Sequence, residues 1–225
     1  MRETTQITYG DGIVSVELTS DSTSDIPAPA IRFGDYEQLL ESCFTRKELD
    51  EIYRGDHASL TFSFVMSDDP KEIDEYETIS TAVRRASKSL GKLNEGFALK
   101  MKAVKSVGSG EELPLDNLIR NVELQIEIPL YLAREDRDYY LITDSLGACK
   151  IYEDYDVDAD TLSVNTGTVG TSMLLYMETF RESPVADTGR DGIKPQFVFC
   201  GLIIALLALW QYITGIRRHK LKEQR

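Results

Sequence analysis

No feature of this chain restricts its folding more than residues 197–216, an uncharged run reading Phe-Val-Phe-Cys-Gly-Leu-Ile-Ile-Ala-Leu-Leu-Ala-Leu-Trp-Gln-Tyr-Ile-Thr-Gly-Ile. At ~1.5 Å per residue, roughly 20 residues of helix reach ~30 Å, the thickness of a bilayer's hydrocarbon core. A helix on a soluble core would show a polar position every third or fourth residue, whereas the only strongly polar side chain here is Gln211. The pattern predicts one transmembrane helix over 197–216. Trp210 and Tyr212 fall at its end, and Arg217, Arg218, Lys220, Lys222 and Arg225 follow at once. Basic flanks stay in the cytoplasm, so 217–225 is expected to be a cytoplasmic tail. Everything upstream is then an ectodomain, joined to the span by a polar, Pro- and Gly-containing juxtamembrane linker over 182–196.

Charge sorts to the two sides of this span. The 225 residues carry 25 Lys and Arg against 38 Asp and Glu, for a net charge of −13, and five of the basic residues lie in the tail. The remainder is more acidic still. Nucleic acid binding needs cations to neutralise phosphates, so that class of partner is set aside. The span makes membrane lipid the expected partner. Cys43 and Cys149 are the only cysteines outside the span, enough for one disulfide but fitting better as two separate thiols. His57 and His219 are the only histidines, which leaves little material for histidine-dependent catalysis.

Met1 to Gly10 has no apolar run of the kind an export signal needs. Two expectations follow: the chain is a fragment of a longer exported protein, or it is a tail-anchored cytoplasmic interaction protein. The second would carry five basic residues across the membrane, against the usual bias.

Along the chain, Ile13, Val14, Val16 and Leu18 mark a strand, broken before it by Gly10-Asp11-Gly12 in the manner of a hairpin. The polar tract 19–25 and Pro27-Ala28-Pro29 read as a linker, so residues 1–34 are expected to be an incomplete neighbour and 35–181 the ectodomain. A short helix over 36–43 precedes Thr45-Arg-Lys-Glu48, a capping box that opens a helix stopped at Gly55. Leu60, Phe62 and Phe64 alternate with small polar residues, a half-buried strand. A helical spacing from Pro70 through Ile73, Tyr76, Ile79 and Val83 runs to Gly91. The strand 97–107 then sets Phe97, Leu99, Met101 and Ala103 against an exposed Lys100, Lys102 and Lys105. Val122, Leu124, Ile126 and Ile128 alternate with Glu123, Gln125 and Glu127, and four strands follow over 137–143, 148–152, 161–164 and 172–177. With no rhythm of crossover helices, the expected fold is mainly β with helical excursions: an antiparallel β-sandwich ectodomain plus one C-terminal transmembrane helix.

Asp154, Asp156, Asp158 and Asp160 alternate and form a candidate Ca²⁺ site, although a calcium loop counted from Asp154 would want Gly and Glu where Ala159 and Asn165 stand. Gly108-Ser-Gly110 runs into Glu111-Glu112, the wrong charge for a phosphate cradle. No nucleophile stands beside a base in the sequence, so no catalytic residue and no cofactor are assigned. A surface enzyme acting on glycans through paired carboxylates is kept as an alternative.

From Ser59 to Glu178 the chain resembles the membrane-proximal β-sandwich, or Ig-like stalk, modules of Gram-positive bacterial cell-surface proteins. The matching stretches are Leu124-Gln-Ile-Glu-Ile-Pro129 with Leu130-Tyr-Leu-Ala133, then Asp138-Tyr-Tyr-Leu-Ile142, Gly147, Ile151-Tyr152, the acidic turn 153–160 and Gly170-Thr-Ser-Met-Leu-Leu-Tyr176. The resemblance implies a non-catalytic stalk or adhesion module anchored to the membrane or cell wall, with cell-wall peptidoglycan or an extracellular protein or glycan ligand as partner. Such proteins often carry a Leu-Pro-any-Thr-Gly sorting signal, of which Val185-Ala-Asp-Thr188-Gly189 keeps only Thr188 and Gly189 as a degenerate site.

Replacing Leu206 and Leu207 together by Arg is expected to abolish stable insertion, since a central Arg costs about 2.5 to 3.5 kcal/mol against a gain of about 0.3 to 0.6 for each apolar residue. Alkaline extraction of membranes should release the double variant and retain the parent.

Overall fold

The computed structural model describes residues 1–24, 26–145 and 147–179. The expected linker, transmembrane helix, tail and sorting site all lie outside these residues. Among the described residues no helix is long and apolar enough to cross a membrane.

The chain opens with an antiparallel hairpin, β1 (Arg2–Tyr9) and β2 (Gly12–Ser22), whose register leaves Gly10 and Asp11 as the loop. Gly10 is left-handed there, at φ +62. Gly12 has a different constraint: a Cβ would collide with the carbonyl oxygens of Ile52 and Asp56. After β3 (Ile31–Phe33) come α1 (Tyr36–Cys43) and α2 (Arg46–Tyr53). Asp35 caps α1, and α2 has the capping box read from the sequence, with the Thr45 side chain on the Glu48 amide and the Glu48 carboxylate on the Thr45 amide. β4 (His57–Ser67), a 3₁₀ turn at Pro70–Glu72 and α3 (Tyr76–Leu90) follow. The remainder is β5 (Asn94–Val107), β6 (Leu113–Leu115), β7 (Asn117–Glu127), β8 (Arg137–Ser145), β9 (Ala148–Glu153), β10 (Thr161–Thr168) and β11 (Thr171–Glu178).

Mainly β the structure is, but its strands are not all antiparallel. An eight-stranded mixed sheet has the order β1-β2-β4-β5-β11-β8-β9, with β6 beside β5, and an antiparallel three-stranded sheet has the order β10-β7-β3. β2 and β4 run parallel, from Ile13 beside His57 to Ser22 beside Met66. Parallel neighbours need a long crossover, and β3, α1 and α2 supply it. These helices are too short to announce a crossover in the sequence. The same pairing corrects the expected boundary at residue 34. β2 is an interior strand with Val14, Val16 and Leu18 buried, and β3 pairs with β7, so residues 1–33 belong to the one compact unit that ends at Phe180.

The small sheet lies over one face of the large one. Phe33, Leu124, Ile126, Leu162 and Val164 meet Val16, Leu60, Phe62, Phe64 and Phe97 in one core, with the Phe33 and Phe62 rings 4.7 Å apart. On the other face α3 lays Ile79 and Val83 on Tyr140, Ile142, Met173 and Leu175. The coverage explains the strand sequences. β8 and β11, covered on both faces, are buried without a break over Tyr139–Thr143 and Thr171–Leu175, whereas β2 and β4 alternate because their other face meets solvent.

Two further expectations are corrected. The helix expected from Pro70 to Leu90 is broken where Ile73 turns extended, with ψ 142, so the Pro-initiated turn and α3 are separate. Lys105 is buried, for it shares the odd parity of Phe97, Leu99, Met101 and Ala103 and points with them into the core.

Truncating Phe62, which is fully buried between the sheets, should cost about 3 to 5 kcal/mol. Urea denaturation of Phe62→Ala against the parent measures it.

Candidate functional site

The opening between β5, β6 and β11 arises from the pairing of β5. Its first half, through Lys100, pairs with β11, while Ala103 to Lys105 pair with β6. At the handover Met101 N–H donates to Gly170 O at 2.8 Å, and Gly170 sits at φ +145, where a Cβ would lie 3.0 Å from the Asp144 carbonyl oxygen. The result is an open groove of about 590 Å³ where β5 passes from β11 to β6. Leu115, Pro114 and Val169 give it apolar walls, and Lys100, Lys102, Asp116, Asp144 and Glu75 line it with charge. Lys100 and Lys102 are exposed and form no ion pair among the described residues. Glu75 Oε2 is enclosed without a hydrogen-bond partner among them. Ser145, at the rim, is paired with Asn117 Oδ1 at 3.3 Å. Two ammonium groups, three carboxylates and an apolar wall suit non-covalent recognition of a polar ligand.

The sequence gives no hint of this groove beyond the alternation of Lys100 and Lys102, because its walls come from segments brought together only by the sheet order.

A second cluster is structural. Lys105 Nζ donates to Cys43 O at 3.0 Å and to Glu48 Oε2 at 2.6 Å, and lies 5.4 Å from the centre of the Phe44 ring. Glu48 Oε2 also accepts from the Thr45 amide at 2.6 Å and hydroxyl at 2.8 Å. This one carboxylate caps α2 and holds the buried ammonium of β5, so the α1–α2 junction is fastened to the sheet. Burial would raise the Glu48 pKa, but the bonds from Lys105 and Thr45 together outweigh it and hold the group below the usual carboxylate range.

The candidate Ca²⁺ residues form a braced loop. Asp154 Oδ1 accepts from the Asp156 and Ser163 amides, each at 3.0 Å. Asp156 accepts from the Val157 amide at 2.7 Å, the Asp158 amide at 3.3 Å and the Ser163 hydroxyl at 3.1 Å. Asp160 accepts from the Thr161 hydroxyl at 3.4 Å. Burial raises the Asp154 pKa, while the amides of Asp158 and Val157 lower that of Asp156. Among the described residues no three His, Cys, Asp or Glu side chains are grouped as metal ligands would be. Cys43 and Cys149 are both free thiols; burial pushes the first up to about 12 and the second, beside Asp144, up to about 11. His57 stands exposed at the start of β4, away from the groove residues. Thr188 and Gly189 lie outside the described residues.

Comparisons with known protein families, with curated proteins and with solved structures find no match.

The lowered pKa of Glu48 fixes a sign. Its ionised form is favoured by folding, so its contribution to stability is complete above the unfolded carboxylate pKa and is lost as pH falls through the lower folded value. Glu48→Gln should destabilise the domain at neutral pH and flatten the acid limb of its stability profile, measured by urea midpoints at a series of pH values.

Proposed function

We propose that this chain is a non-catalytic cell-surface protein, its β-rich domain held outside a membrane by residues 197–216 and serving as a stalk or adhesion module of the kind it resembles. The observation that carries this reading is the uncharged run of roughly 20 residues followed by five basic ones. The strand register agrees with such display. Glu178, the last residue of β11, pairs with Arg137, and Thr179 donates to Asp136 O at 2.8 Å, so the chain leaves the domain at one end of the mixed sheet. Thr171 and Asp144, on the groove, lie at the other end of the same two strands. A ligand in the groove would meet the domain on the half turned away from the exit.

The ligand is an extracellular protein or glycan, bound through the charged and apolar walls of the groove. Attachment is through residues 197–216 in the lipid bilayer, and Thr188 with Gly189, lacking the Leu and Pro of a sorting signal, is a poor site for a wall-linking transpeptidase. Support for a binding rather than a catalytic role comes from the way the acidic and basic groups are used. Glu48 and Lys105 fasten α2 to β5, Arg137 and Glu178 are paired at 2.8 Å, and Asp154 and Asp156 brace a loop.

Protease applied to intact cells that express the full chain with a C-terminal tag should remove the domain and leave a short tagged membrane fragment. Survival of the whole domain until the cells are lysed would favour the cytoplasmic tail-anchored alternative.

A further inference from the structure

Among the described residues, the most exposed large hydrophobic side chains are Val157, at 96 %, and Leu130, at 91 %. Neither is on a slack loop. Pro129 O accepts from the Leu132 and Ala133 amides at 2.8 and 3.0 Å, and Leu132 is buried beneath the turn. The Leu132 carbonyl in turn takes the Tyr139 hydroxyl at 2.7 Å and the Arg137 guanidinium at 2.8 Å. Leu130 and the half-exposed Tyr131 are thus held at the tip of a tight turn. Val157 is held in the same way by Asp154 and Asp156. The Ile128 amide donates to Asp160 O at 2.7 Å, which ties the two loops together.

Both tips stand at the end of the sheet from which the chain departs. The loop 128–136 runs from the end of β7 into Arg137, the partner of Glu178, and Asp136 takes the Thr179 amide. The apolar run begins at Phe197, a short stretch of chain further on. We propose that Leu130, Tyr131 and Val157 form a lipid-contacting tip that seats this end of the domain on the bilayer. This rests on the reading of 197–216 as a membrane anchor. Residues 180–196 are enough chain to let the domain stand off the surface, so seating has to come from the tips themselves. An anchored domain meets the bilayer at high effective concentration, and a few apolar side chains then suffice. The two loops carry Glu135, Asp156 and Asp158, while Arg134 is paired with Asp136 at 3.0 Å, so the surface they suit is zwitterionic, and anionic lipid opposes the contact.

The test uses the full chain in phosphatidylcholine vesicles, with an environment-sensitive fluorophore on Glu135→Cys in a Cys149→Ser, Cys200→Ala background. Cys43 is buried and stays unlabelled. Flotation reports anchoring, and quenching by spin-labelled lipid reports contact. The expected result is a blue-shifted emission, quenched by the lipid label and weakened when phosphatidylglycerol is added. Leu130→Asp with Val157→Asp should abolish the shift while flotation is unchanged, and the same probe on Ser109→Cys, exposed at the far end of β5, should stay water-exposed. Vesicles that float with a water-like emission at 135 would overturn the seating and leave the anchor intact. A shift that depends on protein concentration and is insensitive to the lipid label would assign the tips to a second copy of the chain instead. Failure to float would remove the anchor and the seating together.

Discussion

The parallel pairing of β2 with β4 governs the rest of the structure. Two neighbouring strands that point the same way cannot be joined by a hairpin, so the chain between them has to travel back along the sheet before β4 can begin. It uses that passage to lay β3 on the small sheet and to place α1 against β7 and α2 against β2 and β5. One face of the large sheet is closed in this way by β3, α1 and α2 together with the later strands β7 and β10. The other face is closed only where α3 crosses β8 and β11, which leaves the outer side of β1, β2 and β4 in water.

A crossover built from two eight-residue helices is too short to be stable by itself, and its helices depend on what they touch. Leu39, Leu40, Phe44 and Ile52 bury their side chains in the common core. The ion pair of Glu48 with Lys105 adds a directional bond to this non-directional packing. A buried ammonium without its carboxylate would be severely penalised, so the pair restricts where α2 can sit relative to β5 more than it adds to net stability.

Much of the fold was legible because local rules and tertiary packing agree. The hairpin at Gly10-Asp11, the capping box of Thr45 and Glu48 and the strand ended by Pro129 are local signals, and each is where the sequence places it. What was missed depends on partners distant in sequence. Lys105 was assigned to the solvent face by its charge, although its parity with Phe97 through Ala103 put it inside; only Glu48, distant in the chain, makes that position tolerable. The membership of residues 1–33 was missed because the polar, proline-containing tract after β2 resembles a linker, yet Ser20 Oγ reaches Pro29 O at 2.8 Å and Thr23 N–H reaches Met66 O at 2.9 Å. The groove needs the order β5, β11, β8, which no periodicity reports.

Seen as a whole, the domain combines a large sheet covered on one face by β3, β7 and β10, a groove formed where β5 changes partners, and an exit for the chain at the opposite end. Each depends on β2 being an interior strand and not part of a separate neighbour. Amide hydrogen exchange on the purified chain tests that claim most directly. The account predicts that the amides of Val14, Val16 and Leu18 exchange as slowly as those of Leu60, Phe62 and Phe64, through the same global opening. Exchange of β2 at the rate of an unstructured segment, with β4 still protected, would contradict it.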